Sequence, residues 1–340
     1  MSNERVIGVL DISVEKNLEK YLQDKKIVDD DFRIVYLFGG VSGTTALVSQ
    51  KEKEVIVKQA LSKLKVNEEW LCDPKRMEIE MKSNAIYHQL VPENVPAVIS
   101  YDKENNIFVR EAAPEQCHMW KKDLMTGKLD FQVAKKVMDT LAIVHNKCTG
   151  DEQVAREFAN KEFFYELRIS PYIHFTCDRH PQLKEYAAPI IGELMESEIT
   201  LVHGDYSPKN VVIFGEKVYV TDFEVAHYGH PSFDLGFLCN HLTLKAIHMR
   251  DFGDGFLAMM RYVLKSYFAQ CEFMDKKSLE ESFLKLLPLL MIARVDGKSP
   301  VEYIVDPKEK EFVRTLAFGL IDNKIVGIED LFNYLYRNIV

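Results

Sequence analysis

The sequence lacks a hydrophobic run long enough to cross a membrane. Its 340 residues are 47% hydrophobic and 28% charged, and no apolar stretch approaches the roughly 20 residues that a spanning helix needs. The first residues, MSNERVIGVLDISVEKN, include early acidic side chains and lack the basic, then apolar, order of a signal peptide. We therefore expect a cytoplasmic protein with no membrane partner.

Clustered cysteines and excess positive charge are also missing. The six cysteines are scattered, and no two have the spacing of metal ligands, so we expect buried or idle thiols. The net charge of −9 argues against a nucleic-acid partner, which favours a basic face on the protein. An acidic chain is compatible with a cationic substrate but does not require one.

The sequence does contain a clear change of pattern near residue 112. Before it, one helix is predicted after Asp73 and Pro74, and five segments are β-rich: 32–38, 45–50, 54–59, 97–101 and 107–111. After it, most apolar residues recur at helical spacing. These patterns predict an α+β fold of two lobes. A small antiparallel β lobe with one helix covers residues 1–111, and a larger, mainly helical lobe covers residues 112–340.

The segment HGDYSPKN (203–210) precedes a predicted β-hairpin over residues 211–221. Asn210 lies before the first strand and Asp222 after the second, and the outer ends of an antiparallel hairpin meet, so we expect these side chains to be neighbours. An amide oxygen beside a carboxylate suits Mg²⁺ that is completed by phosphates and water. Asp205, on the adjoining loop, can accept the proton of a hydroxyl nucleophile. This order of residues is typical of phosphoryl-transferring kinases.

A glycine-containing turn, LFGGVSGTTALV (37–48), lies upstream between two predicted strands. Glycines there let backbone N–H groups approach phosphates, although a plain hairpin turn is the alternative. The candidate nucleotide-binding residues of this turn are Gly39, Gly40, Ser42, Gly43 and Thr44.

Lys58 follows on the next predicted strand, where a lysine after such a turn is expected to bind the α- and β-phosphates. It needs a carboxylate to hold it, and the predicted helix offers Glu78 and Glu80. We choose Glu80, because Glu78 has the position of a solvent-facing residue, and we expect Arg76 to brace Glu80. The order of turn, lysine, glutamate and loop carboxylates indicates a kinase-like site.

These segments together resemble the aminoglycoside phosphotransferase and choline kinase superfamily, which has the protein-kinase-like fold. The resemblance runs from about residue 32 to about residue 240. It rests on LFGGVSGTT, Lys58, Glu80, LAIVHN (141–146), HGDYSPKN, TDFE (221–224) and HPSFDLGF (230–237).

The resemblance implies roles for further residues. Asp234 would support the catalytic loop, and His145 and His203 would brace it. Backbone atoms of VREAA (109–113), near Glu111 and Ala113, would bind the adenine of ATP.

The short separation between Asp222 and Asp234 bears on the substrate. Only residues 223–233 lie between them, too few for the segment on which a protein kinase binds its peptide. We therefore predict a phosphotransferase with an alcohol group as acceptor. It would use ATP and Mg²⁺ to phosphorylate a small sugar, amino alcohol or aminoglycoside. A nucleotide-binding pseudokinase scaffold and an atypical protein kinase are the alternatives.

The acceptor itself stays open. FEVAHYGHPSFDLG (223–236) is similar to the corresponding part of methylthioribose kinases. Asp251 and Asp254 could face a cationic substrate, although a solvated loop between helices is the alternative. Arg294 could contact a phosphate or a polar substrate, although an arginine at a helix C terminus needs no such role. Neither the preference for ATP over GTP nor the oligomeric state follows from the sequence.

Overall fold

A computed structural model describes residues 10–29, 31–37, 43–51, 53–62, 70–114 and 116–340. The N-terminal lobe contains a five-stranded antiparallel sheet with the strand order β1-β2-β3-β5-β4. Its strands are β1 (Arg33–Leu37), β2 (Gly43–Gln50), β3 (Lys53–Ala60), β4 (Val98–Asp102) and β5 (Ile107–Glu111). Each of the five predicted β segments is therefore a strand, and the predicted lobe boundary falls directly after β5.

Two helices accompany this sheet. The predicted helix is α2 (Arg76–Leu90), which joins β3 to β4. It begins after a turn in which Asp73 Oδ1 accepts a hydrogen bond from the backbone N–H of Lys75 at 2.9 Å. The second helix, α1 (Glu15–Asp24), was not anticipated from the sequence, although Leu18, Tyr21 and Leu22 have helical spacing and pack onto the sheet.

The C-terminal lobe is mainly helical, and its strands are short. Its helices are α3 (Trp120–Leu124), α4 (Phe131–Cys148), α5 (Glu152–Glu157), α6 (Glu162–Phe164), α7 (Phe175–Arg179), α8 (Lys184–Glu196), α9 (Ser232–His248), α10 (Gly253–Gln270), α11 (Lys276–Asp296), α12 (Pro307–Asp322) and α13 (Ile328–Ile339). A π-helix spans Tyr165–His174, and 3₁₀ turns span Pro181–Leu183, Pro208–Asn210 and Arg250–Phe252. The strands are β6 (His118–Met119), β7 (Thr200–Val202), β8 (Val211–Phe214), β9 (Lys217–Val220) and β10 (His227–Gly229).

Aspartates set the starts of several of these helices. The side chains of Asp130, Asp275 and Asp306 accept hydrogen bonds from backbone N–H groups in the first turns of α4, α11 and α12. Such caps satisfy N–H groups that have no partner within the helix. The described helices and strands give the predicted arrangement of a β lobe followed by a helical lobe.

Helix α9 is the centre of the C-terminal lobe. It is buried along nearly its whole length and packs against α10, α11 and α12. A helix that is buried all round normally carries apolar side chains alone, yet α9 buries Asp234, Asn240, His241 and Lys245. Polar groups in such a position need a local explanation. Within the described ranges, no helix is both long and apolar enough to cross a bilayer.

Candidate active site

Lys58 lies where the two lobes meet. From β3, its Nζ donates to both carboxylate oxygens of Glu80 on α2, at 3.0 and 2.7 Å, and to Asp222 Oδ1 at 2.5 Å. Three of the predicted site residues are therefore in contact, although 164 positions separate Lys58 from Asp222.

The charges of Lys58 and Asp222 support each other, whereas burial and the charges of Asp222 and Glu224 raise the pKa of Glu80 above its usual value. Burial disfavours the charged form of Lys58, but Asp222 and Glu80 outweigh it and raise the pKa of the lysine. Burial likewise disfavours the carboxylate of Asp222, but Lys58 and Lys209 outweigh it and hold the pKa of Asp222 below its usual value. The pair is therefore ionised at neutral pH.

A third carboxylate, which the sequence analysis missed, lies beside this group. Oxygen atoms of Glu80, Asp222 and Glu224 lie within 4.8 Å of one another, and such oxygens are the ligands that Mg²⁺ prefers. Arg76 Nε donates to Glu224 Oε2 at 3.0 Å, and the expectation that Arg76 also braces Glu80 stays a prediction. The TDFE segment already contained Glu224, two residues after Asp222.

Part of the predicted phosphate-binding turn can be located. Gly39, Gly40 and Ser42 lie outside the described residues, whereas Gly43 and Thr44 begin β2 and are buried. A Cβ at Gly43 would lie 2.8 Å from the backbone oxygen of Gln59 and 3.6 Å from Lys58 Cε. A larger residue there would press on the strand that carries Lys58.

The predicted adenine-binding segment follows the last residue of β5. The backbone N–H of Glu111 donates to Ala97 O at 2.9 Å, and that of Ala112 donates to Glu54 O at 3.1 Å. These bonds hold the segment against the sheet up to Ala112. Binding of adenine near Glu111 and Ala113 stays a prediction.

The loop that contains Asp205 is braced by Asp234. Its carboxylate accepts hydrogen bonds from the backbone N–H groups of His203 and Gly204, at 2.7 and 2.9 Å, and lies 3.3 Å from His145 Nε2. Gly204 has φ +77°, and a Cβ there would lie 2.6 Å from Val225 O, so the loop needs glycine at this position. Asp234 and His145 therefore lie beside this loop, and the supporting roles expected for Asp234, His145 and His203 stay a prediction.

The two carboxylate oxygens of Asp205 have different surroundings. Oδ2 accepts a hydrogen bond from Asn210 Nδ2 at 2.8 Å and forms ion pairs with Arg168 Nη2 at 3.1 Å and Lys209 Nζ at 2.9 Å. Oδ1 is buried and has no hydrogen-bond partner among the described residues. Burial disfavours the charged carboxylate, but Arg168 and Lys209 outweigh it and lower the pKa of Asp205. The result is an ionised carboxylate with one oxygen that accepts no hydrogen bond from the described residues.

The ends of the predicted hairpin meet as expected. Val211 pairs with Val220, and the backbone N–H of Thr221 donates to Asn210 O at 3.0 Å. The Asn210 side-chain nitrogen donates to Asp205, which leaves its amide oxygen for a metal ion. Asn210 and Asp222 therefore fit a shared Mg²⁺ site, and this assignment stays a prediction.

Arg168 and Lys209 were also missed by the sequence analysis. Lys209 lies inside HGDYSPKN itself and could have been recognised there. Arg168 lies on the π-helix, 37 residues before Asp205, and also donates from Nε to Gly204 O at 2.7 Å. No local pattern marks it.

The candidate acceptor residues lie in two separate places. Arg294, at the end of α11, donates from Nη1 to Tyr172 Oη at 3.1 Å, and Arg168 lies 5.6 Å from the centre of the Tyr172 ring. Arg294 is thus connected to the catalytic loop through Tyr172.

Asp251 and Asp254 are exposed around the start of α10. They follow the C-terminal end of α9, whereas Asp234 lies at its N-terminal end. No ion pair or hydrogen bond around Asp205 in the described ranges involves Asp251 or Asp254. A role for these two residues in binding a cationic acceptor stays a prediction.

The sequence of this chain is similar to known phosphotransferases. Residues 127–263 match the model of the phosphotransferase enzyme family, a range that contains Asp205, Asn210, Asp222 and Asp234. The methylthioribose kinase of Bacillus cereus (strain AH820) is 27% identical over 247 residues, which cover 64% of this chain and 62% of that enzyme. The match thus spans about three fifths of the relative's length.

Solved structures share the fold at low sequence identity. A choline/ethanolamine kinase family protein from Mesorhizobium loti has a TM-score of 0.55 at 11% identity, covering 94% of this chain and 98% of that protein. A thermostable mutant of aminoglycoside phosphotransferase APH(4)-Ia, solved with AMP-PNP and hygromycin B, has a TM-score of 0.50 at 13% identity, covering 90% and 98%. The predicted resemblance is confirmed: the chain has the protein-kinase-like fold of aminoglycoside phosphotransferases and choline kinases, and its central segment matches the phosphotransferase enzyme family.

Proposed function

We propose that this protein is a small-molecule kinase that transfers the γ-phosphoryl group of ATP to a hydroxyl of a small polar acceptor. The observation that carries this proposal is the asymmetry of Asp205. Its Oδ2 accepts a hydrogen bond from Asn210 and pairs with Arg168 and Lys209, while Oδ1 is buried and has no hydrogen-bond partner in the described part of the chain. An acceptor hydroxyl at Oδ1 would be oriented there and would transfer its proton to the carboxylate.

The reaction is a direct displacement. The acceptor oxygen forms a bond to the γ-phosphorus, the bond from that phosphorus to the β,γ-bridging oxygen breaks, and ADP leaves. Asn210 and Asp222 would hold Mg²⁺, which neutralises phosphate charge when bound. Lys58, held by Glu80, would contact the phosphates, and the turn at residues 39–44 with the Glu111–Ala113 segment would position the nucleotide.

A small acceptor is favoured over a protein. Between Asp222 and Asp234 the chain forms only strand β10 before α9 begins, which provides no platform for a peptide. The relatives described above are named for methylthioribose, choline or ethanolamine, and aminoglycosides, all of them small hydroxyl compounds.

ADP release from Mg-ATP tests the proposal, with pools of sugars, sugar derivatives, amino alcohols and aminoglycosides as acceptors. Asp205→Asn should lower kcat by about 10²–10⁴-fold, the usual contribution of a general base, and leave Mg-ATP affinity unchanged. Asp139→Asn is the matched control, because Asp139 lies on α4 and pairs with Lys135.

Two outcomes would contradict the kinase function. Wild-type protein that binds no Mg-ATP would exclude it altogether. Protein that binds Mg-ATP but releases ADP with none of the pools would favour a nucleotide-binding scaffold.

A further inference from the structure

Several cations belong to the side of Asp205 on which the acceptor would bind, which we call the acceptor side. Arg168 and Lys209 contact its carboxylate directly. Arg294 joins them through Tyr172, because its Nη1 donates to the Tyr172 hydroxyl while Arg168 lies over the same ring. Lys245 is buried on α9, four residues after His241, whose ring lies 5.3 Å from the Phe237 ring under Arg168. We name Arg168, Lys209, Arg294 and Lys245 the basic cluster.

Arg294 carries a buried charge that no carboxylate of the described residues pairs with. It is only 8% exposed, and its hydrogen bonds go to neutral groups, the Tyr172 hydroxyl and the backbone and side-chain oxygens of Ser299. Its Nε is buried without a partner, and no ion pair joins it to a carboxylate among the described residues. A buried charge in this state costs stability unless a ligand supplies the opposite charge.

A row of side chains on one face of α9, which we call the stripe, extends the basic cluster. Phe237, His241 and Lys245 are spaced four residues apart and so share one face of the helix. Phe237 lies under Arg168, with 5.7 Å from the guanidinium carbon to the ring centre. Lys245 Nζ lies 3.4 Å from His241 O and 5.0 Å from the centre of the Tyr303 ring.

This stripe also has unmatched polar groups. The buried Lys245 forms no ion pair with a carboxylate in the described ranges. Among the described residues, His241 Nε2 and the Tyr303 hydroxyl are buried and have no hydrogen-bond partner. The stripe is joined to Arg294 through rings, because Phe237 lies 5.3 Å from the His241 ring and 5.9 Å from the ring of Tyr172, whose hydroxyl Arg294 contacts. Burial, then the charges of Lys245 and Arg294, lowers the pKa of His241.

The acids on this side are already engaged. Asp205 is held by Arg168 and Lys209. Glu302, which lies close enough for Arg294 to lower its pKa, is paired with Lys121. A pocket for a cationic acceptor would need free carboxylates, and the described part of the chain offers none beside Arg294.

We propose that Arg294, Lys245 and His241 form an anion subsite, so that the acceptor is a hydroxyl compound carrying a carboxylate or a phosphate, such as a sugar acid or a sugar phosphate. The inference rests on the proposed kinase function, because it names the substrate class of that site. Arg294 and Lys245 would bind the oxyanion, His241 Nε2 and the Tyr303 hydroxyl would complete its hydrogen bonds, and the reacting hydroxyl would lie at Asp205.

Binding of inorganic sulfate tests the subsite without turnover. The protein is first saturated with Mg-AMP-PNP, which fills the nucleotide site, and sulfate is then titrated by isothermal calorimetry. Wild-type protein should bind one sulfate, Arg294→Gln should weaken this binding at least tenfold, and Arg294→Lys should weaken it less. Arg261→Gln, which removes a partly exposed arginine of α10 paired with Glu329, should have no effect.

Two results of the sulfate titration would overturn the subsite. Wild-type protein that binds no sulfate, or Arg294→Gln protein that binds it as tightly, would contradict the proposal. An unchanged affinity for Mg-AMP-PNP shows that each variant is folded. Lys245→Met is the second variant, for use if Arg294→Gln does not fold, and it should also weaken sulfate binding.

Matched acceptors then test the substrate class. ADP release is compared for ribose, ribonate and ribose 5-phosphate, with glucosamine as the cationic member. The proposal predicts at least a tenfold higher kcat/KM for ribonate or ribose 5-phosphate than for ribose, and loss of that preference in Arg294→Gln. A preference for ribose or glucosamine would contradict it, and the two acids distinguish a carboxylate site from a phosphate site.

The subsite and the kinase function can fail separately. If Mg-AMP-PNP does not bind, the kinase function fails, and sulfate titration of the nucleotide-free protein still tests the subsite. If no ribose derivative is phosphorylated, the sulfate titration alone decides the subsite.

Discussion

The two sides of Asp205 differ in how their charges are paired. On the Lys58 side, ion pairs join Lys58 to Glu80 and Asp222 and join Arg76 to Glu224, and the three carboxylates lie within 4.8 Å of one another. On the acceptor side, Arg294 and Lys245 have no carboxylate partner in the described part of the chain. Because buried charge is costly without a counter-charge, the first side suits a metal ion and the second an anion.

The way in which charges are paired on either side could not be inferred from the net charge of the chain. The chain carries −9, which is compatible with a cationic substrate, yet the acceptor side has an excess of buried cations. A net charge describes mainly the solvent-exposed surface, whereas recognition depends on the few charges that are withheld from water.

The largest expected effect comes from replacing Asp222, which lies on the Lys58 side of Asp205. Asp222→Asn should lower kcat/KM by about 10³-fold or more, since it removes both the partner of Lys58 and a proposed metal ligand. It should also abolish the dependence of nucleotide affinity on Mg²⁺, measured by calorimetry with and without the ion. Unchanged Mg²⁺ dependence would mean that the ion binds elsewhere, and Asp139→Asn again serves as the control.

The pair of Arg76 and Glu224 should contribute to stability. Arg76→Met leaves Glu224, which is only 6% exposed, without its guanidinium partner, and we expect unfolding in urea to show a loss of about 3–5 kcal/mol. The double variant with Glu224→Gln should recover part of this loss. If the single and double variants are equally unstable, the two side chains do not act as a pair.

The pH dependence of the protein's stability tests the burial of Lys245 on the acceptor side. Burial, then the charge of Lys121, lowers the pKa of Lys245 to about 7 from its ordinary value of 10.5. Between these values the unfolded chain binds more protons than the folded chain, so the stability of the wild-type protein should rise with pH across that window. The charged groups and polar rings around this lysine belong to Lys121, His241, Arg294, Glu302 and Tyr303.

Lys245→Met should therefore stabilise the protein at pH 7 by about 1–3 kcal/mol, as replacement of a buried charge by an apolar residue often does. The gain should shrink as the pH approaches 10, and thermal unfolding at several pH values measures both effects. A gain that is independent of pH would mean that Lys245 is charged in the folded protein throughout.

The smallest expected effect concerns Arg168. Arg168→Lys keeps the positive charge but loses the fork that joins Asp205 Oδ2 to Gly204 O. We expect kcat to fall about tenfold, corresponding to about 1.4 kcal/mol, with Mg-ATP affinity unchanged, in steady-state assays. A fall in Mg-ATP affinity of the same size would place Arg168 on the nucleotide side of the site.

Several site residues could be predicted because their positions follow from local chemistry. The hairpin at 211–221 brings Asn210 towards Asp222 wherever it lies in the fold, since the turn sets the register of its strands. The site features that the sequence did not predict depend on contacts between residues that lie far apart along the chain. Glu224 was placed within a few residues of Asp222 by the sequence itself, but its contact with Arg76 spans 148 positions.

The sequence by itself determined the strands of the first lobe, the hairpin and the order of Lys58, Glu80, Asp205, Asn210 and Asp222, because periodicity, turns and motif spacing act over short stretches of chain. Only the tertiary structure decided which oxygen of Asp205 is free, where Arg294 lies relative to Tyr172, and that Lys245 is buried. These features depend on the packing of the π-helix, α9 and α11, and the contact between Arg294 and Tyr172 alone spans 122 positions. Burial, which determines what a charge costs, is a property of the folded chain.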